Sequence, residues 1–273
     1  MINLLTSFNS QRAQDARHLV RSLRRLHSDI PVHCFTDVGP EQWSWFADRG
    51  CTQHDVEQIE SIRNVREAFG AQAGNAAHRW WTVATPWMIA QIPSPCLYIQ
   101  PDCVILRPIE AEASAVLTEG PLITSAHPGL LNHRDLYKLM KIPLSLAWLT
   151  VQSGVVGLDL SRQKDSELLQ QWQHAVLRMC IDKKVRGKMR AFEQGALLWA
   201  VHKCRLADQV FHDYRWNCPR ALYGNERTRY RTGPDLYDRI AKAYPNINII
   251  HFADQPKLSR LLFDPRGRIA IGA

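Results

Sequence analysis

The segment from Ile2 to Thr36 constrains the fold more than any other part of the chain. Ile2 to Phe8 is a short, largely apolar run with the pattern of a buried strand, opening into a loop at Asn9. From Gln11 to Leu26, the residues Ala13, Ala16, Leu19, Val20, Leu23 and Leu26 return at helical spacing, with arginines on the remaining faces. Pro31 restarts the chain as a strand, PVHCFTD. Two strands joined through a helix across about twenty residues make a βαβ unit, whose strands run parallel with a right-handed crossover. The predicted class is therefore α/β, with a central, mostly parallel sheet flanked by helices. Ligands of such sheets sit beyond the carboxyl ends of strands, which places Thr6, Ser7, Phe8 and Asn9 to touch one, unless they only turn the chain.

At 273 residues and 45% hydrophobic content, the chain can bury one sizeable core, so a single domain over 1–273 is expected. No basic region precedes the apolar part of MINLLTSFNSQRAQ and no small-residue cleavage site follows it, so a secretory signal is not expected. Apolar runs are broken well before the roughly 20 residues needed to cross a bilayer. Seven scattered cysteines without a CxxC pair read as reduced, cytoplasmic thiols. Cys96 and Cys103 fall within one apolar stretch and read as small buried hydrophobes.

A formal charge of +8 and a pI near 9.3 favour anionic partners: a nucleotide diphosphate, an acidic glycan or lipid surface, or nucleic acid. The basic residues form no stripe with interleaved aromatics and no recognised module, which argues against nucleic acid. A polar and aromatic stretch runs through Trp43 and Trp45, and a helix is expected from Gly74 to Ile92, kinked or split by Pro86. Val155 to Leu160 reads as a strand, Leu168 to Met179 and Gly195 to His202 as helices, and Ile247 to Phe252 as a last buried strand. Ala221 to Pro234 reads as a loop, and Leu130 to Leu149 as buried core, the wall of a binding site or a partner surface.

The most informative stretch is CLYIQPDCVILRPI, Cys96 to Ile109. Gln100-Pro101-Asp102 interrupts two apolar strand pieces, and an acidic residue there must reach solvent, a metal or a cation. This segment resembles the A-type glycosyltransferase fold, in which a strand ends in an Asp-any-Asp motif that holds a divalent cation against a nucleotide-sugar diphosphate. Further landmarks follow in the order seen in family 8, which contains glycogenin and bacterial lipopolysaccharide galactosyl- and glucosyltransferases. These are NAAHRWW, QSGVVGLDL, FEQGALLWA, YRWNC and IIHFADQPKL.

The resemblance implies a Rossmann-like nucleotide-diphospho-sugar transferase that moves a hexose to a glycan or lipid-linked acceptor with retention. By that resemblance Arg79 and Lys257 grip the diphosphate, and Gln152, Ser153 and Gly154 lie along the donor sugar. Glu193 binds sugar hydroxyls, and Gln194 stabilises oxocarbenium-like charge. Asp102 and His251 hold Mn2+ or Mg2+. The expected location is cytoplasmic, with peripheral contact at the inner membrane face.

The sequence departs from the family pattern at Gln100, which replaces the first aspartate, and at Asp254 and Leu258, where glycine and proline are usual. Loss of one carboxylate weakens the expected cation affinity. The alternative to an enzyme is therefore a non-catalytic protein of the same fold that binds a nucleotide sugar or glycan.

Overall fold

Alternation along the first strand divides the core in two. The computed structural model describes residues 1–26, 28–73, 80–125, 151–181, 192–212, 215–219, 242 and 245–251. In it, β1 (Asn3–Phe8) sends Leu4 and Phe8 into one apolar cluster and Leu5 into the other. The amphipathic segment becomes α1 (Ala13–Arg25), entered through a 3-10 turn at Ser10–Arg12, and β2 (Val32–Thr36) pairs parallel to β1. The βαβ unit expected from the sequence is therefore present.

Next come α2 (Pro40–Ala47), β3 (Cys51–Asp55) and α3 (Glu60–Ala73). The stretch around Trp43 and Trp45, left without an element in the sequence reading, is helical: Pro40 occupies its first turn and Phe46 is its buried anchor. The helix expected at Gly74–Ile92 is divided into α4 (Trp80–Val83) and α5 (Thr85–Ile89), with Pro86 in the first turn of the second piece. Residues 74–79 of that expectation lie outside the described residues.

The strand pieces around Gln100-Pro101-Asp102 are β4 (Cys96–Ile99) and β5 (Cys103–Ile105), followed by α6 (Glu110–Glu119) and β6 (Leu122–Ser125). The strand expected at Val155–Leu160 begins earlier, as β7 (Val151–Leu158), which puts Gln152, Ser153 and Gly154 inside the ladder. Helix α7 (Gln163–Ile181) and helix α8 (Phe192–Lys203) both extend past their sequence-predicted ends. Short strands β8 (Val210–Phe211), β9 (Cys218–Pro219) and β10 (Ile249–His251) complete the set. The expectations at Leu130–Leu149 and Ala221–Pro234 lie outside the described residues.

A seven-stranded sheet has the order β3-β2-β1-β4-β7-β6-β8, parallel from β3 to β4 and antiparallel on both sides of β7. A second sheet, β5-β10-β9, pairs β5 antiparallel to β10, so His251 stands opposite Cys103. The polar Gln100-Pro101-Asp102 step is the point at which the chain leaves one sheet for the other. Helices α7 and α8 pack on each other, and α8 rests on β7. On the opposite face α1 packs against β5, where the Ser22 hydroxyl accepts the Ile105 N–H at 2.9 Å. That bond fixes β5, and with it the turn carrying Asp102.

Candidate active site

Asp102 is the residue around which the other polar groups gather. It lies just beyond the carboxyl end of β4 and is 9% exposed, and His251, at the end of β10, is 2% exposed. Antiparallel pairing of β5 with β10 brings them together, with His251 Nε2 3.3 Å from Asp102 Oδ1. Neither atom has a hydrogen-bond partner among the described residues. On the outer side, a guanidinium nitrogen of Arg12 stands 4.0 Å from Asp102 Oδ2 and bonds Asp15 at 2.9 Å. Burial pushes the Asp102 carboxyl up, but the His251 ring and Arg12 outweigh it, and the net direction is down. Asp102 therefore remains a carboxylate.

The orientation of His251 follows from its neighbours. The Asn217 amide donates to Thr124 Oγ1 at 3.0 Å, which turns Asn217 Oδ1 toward His251 Nδ1, also at 3.0 Å. Nδ1–H therefore donates to Asn217 Oδ1, and Nε2 faces Asp102, where it can share a proton with the carboxylate or, without one, offer a lone pair to a cation. A lone pair and a carboxylate oxygen, both buried and 3.3 Å apart, repel unless a cation or proton lies between them. This is the donor arrangement of a metal-binding histidine whose other nitrogen is held by an amide oxygen.

The ring is accommodated by a missing side chain. A Cβ on Gly154 would come within 2.6 Å of His251 Cε1 and 2.7 Å of Nδ1. Gly154 thus serves a close approach of the ring to β7. Its carbonyl accepts the Gln100 N–H at 2.8 Å, tying the interrupted turn to the same strand. Gln152 Nε2 lies 3.4 Å from His251 Nδ1, and the Gln194 amide, in the first turn of α8, donates to Gln152 Oε1. Asp102, His251, Asn217, Gln152 and Gln194 lie together as one buried polar group drawn from five separate parts of the chain.

Several side-chain atoms in the sequence-predicted segments are buried without a hydrogen-bond partner among the described residues: Thr6 Oγ1, Ser153 Oγ, Gln194 Oε1, Asp102 Oδ1 and His251 Nε2. Native folds rarely leave such atoms unpartnered, although others lie elsewhere in the fold, among them the indole nitrogens of Trp172 and Trp216. Ser7 is differently placed, its hydroxyl lying 3.2 Å from the Tyr98 hydroxyl in the core behind the strand. Asn9 caps the 3-10 turn by accepting the Arg12 N–H at 3.1 Å. Glu193 is half-buried at the start of α8. Arg79 and Lys257 lie outside the described residues. Arg12, Thr124 and Asn217 were missed as individual site residues; only Asn217 left a sequence signal, within YRWNC.

This architecture is the A-type glycosyltransferase fold, with the Asp102–His251 cluster at the carboxyl edge of the main sheet. No protein-family model and no curated protein sequence matches the chain. Solved structures do. The galactosyltransferase LgtC, crystallised with donor and acceptor sugar analogues, superposes with a TM-score of 0.61 at 14% identity, over 94% of this chain and 88% of that one. An LgtC structure with a glutamine-to-glutamate substitution in its active site gives 0.59 at 13% identity, over 93% and 88%. Mouse xyloside xylosyltransferase 1 gives 0.54 at 14% identity, over 93% and 98%.

Proposed function

We propose that this chain is a glycosyltransferase that moves a hexose from a nucleoside-diphosphate sugar to a glycan or lipid-linked acceptor, with retention at the anomeric carbon. The observation that carries the reading is the convergence of Asp102, His251, Gln152 and Gln194 beyond β4, on a fold shared with an enzyme that takes donor and acceptor sugars. Asp102 and His251 fit a divalent cation, because each turns an unsatisfied, buried ligand atom toward the other. Mn2+ or Mg2+ bound there supplies positive charge against the departing diphosphate. Gln194 keeps Oε1 free beside this cluster, suited to face developing positive charge on a sugar ring. That LgtC has a glutamine in its active site supports this role. In this reading Arg79 and Lys257 hold the diphosphate, Thr6 and Asn9 flank the nucleotide, and Ser153 and Glu193 meet the sugar.

The test is turnover of a panel of nucleotide sugars, with and without Mn2+. Gln194→Ala is expected to lower kcat by about 100-fold or more while donor affinity changes little. Absence of turnover with every donor overturns the enzyme reading.

Gln100 favours a second reading, in which the chain binds a nucleotide sugar or glycan without converting it. Calorimetry separates the two. Tight donor binding with no product, unchanged by Gln100→Asp, supports the binding protein; product formation rules it out. Among the described residues no helix is long and apolar enough to cross a membrane, and the +8 charge suits peripheral contact with an anionic surface near a lipid-linked acceptor.

A further inference from the structure

Cys103 lies beside the two unsatisfied ligand atoms, and nothing in the transferase chemistry above uses it. It is fully buried and stands directly across the β5–β10 ladder from His251, so both side chains leave the sheet on the same face. One ligand atom each from Asp102, Cys103 and His251 lie within 4.8 Å of one another. Ligand atoms around a tetrahedral zinc, with bonds of about 2.0–2.3 Å, stand roughly 3.3–3.6 Å apart, so closure on an ion takes side-chain shifts of order 1 Å. The site has lost a hard oxygen donor at Gln100 and has a sulfur within reach.

We propose that Cys103 is the third protein ligand of this site and that its resident cation is a borderline-soft ion, Zn2+, instead of Mn2+ or Mg2+. The inference rests on the cation site of the preceding section and changes its chemistry. A thiolate, an imidazole and a carboxylate together favour zinc, whereas Mg2+ and Mn2+ favour oxygen. On binding, the S–H bond of Cys103 is replaced by an S–Zn bond and the proton leaves to solvent; no redox change is involved. Asp102 Oδ1 and His251 Nε2 receive the partner that they lack, and Arg12 stays on the outer Asp102 oxygen. Three protein ligands leave a fourth position for a phosphate oxygen of the donor, the arrangement typical of catalytic zinc.

The experiment uses metal salts on the intact, chelator-stripped chain. Zn2+ is expected to bind once per chain and about 100-fold or more tightly than Mn2+, and Cys103→Ser to reduce that preference about 10-fold or more, toward the smaller one that imidazole and carboxylate ligands show by themselves. Co2+ should produce a near-ultraviolet sulfur-to-metal charge-transfer band that Cys103→Ser abolishes. Because that variant also perturbs the core, X-ray absorption of the unaltered zinc-loaded chain provides an independent reading, with one sulfur expected at about 2.3 Å. A zinc shell without sulfur, equal affinity for Zn2+ and Mn2+, or a band that survives Cys103→Ser in a folded protein overturns the assignment. Donor turnover measured in parallel separates the two proposals. Turnover without a sulfur-ligated metal rejects Cys103 and leaves the transferase; a sulfur-ligated metal without turnover rejects the transferase and leaves the metal site.

Discussion

Gly154 shows how much of the site depends on one absent carbon. An alanine there would place its Cβ 2.6 Å from the ring and 3.3 Å from the Asn217 amide nitrogen, so His251 or β7 must move. Gly154→Ala is expected to cost about 1–3 kcal/mol, as overpacking of a full interior does. Metal or donor affinity should fall with it, measured by thermal melting and by calorimetry; full retention of both would show that the ring is free to relocate. His18 makes a separate residue-scale prediction. It is buried in α1, and burial, reinforced by Arg21, holds its pKa down to about 3 from 6.5. A depressed folded pKa means that only the unfolded chain takes up this proton between those values. The contribution is therefore intact above pH 6.5 and is lost as pH falls toward 3, with a slope of at most about 1.4 kcal/mol per pH unit. Denaturant melts at stepped pH should show a shallower acid loss in His18→Gln than in the parent chain.

At the scale of elements, the apolar faces of α7 and α8 anchor the sheet face behind the site. Trp172 of α7 is fully buried, yet its indole N–H has no partner among the described residues. Trp172→Ala should cost about 3–5 kcal/mol through the cavity it leaves. Trp172→Phe should cost much less, because most of the volume is kept and an unsatisfied donor is removed. Equal losses in urea melts of the two variants would mean that the indole nitrogen is bonded after all. Helical spacing made α1 visible in the sequence, slightly longer than it is, while α7 and α8 were visible as apolar helical segments with ends short by a few residues, where terminal turns carry less of the pattern. Helices α2 and α6, not expected from the sequence, each bury only one or two residues and so show little apolar pattern; α3, also not expected, buries Ile62, Val65 and Phe69 at helical spacing among polar residues. Strand β7 starts four residues before the expected strand because Gln152, Ser153 and Gly154 break the apolar run, although the ladder buries all three.

Across the whole molecule, the site exists because the chain changes sheets at Gln100-Pro101-Asp102. The seven-stranded sheet supplies β4 and β7; the three-stranded sheet returns His251 from the far end of the described chain to face Asp102. By itself, the sequence determined the α/β class, the parallel start of the sheet and the polar break after β4. Each follows from local hydrophobic period and from the steric rules of βαβ connection. Landmark resemblance also placed Gln152, Gln194 and His251 in order along the chain. Only the tertiary structure decided their partners. Asp102 and His251 are far apart in sequence, and their approach depends on β10 lying antiparallel to β5, which no local pattern encodes. The tautomer of His251 depends on Asn217, the space for its ring on Gly154, and the nearness of a thiol on the register that sets Cys103 opposite it. Cys103 is the small buried hydrophobe its sequence stretch predicts, part of the apolar cluster beside α1; only the fold adds that His251 comes within reach of the same thiol.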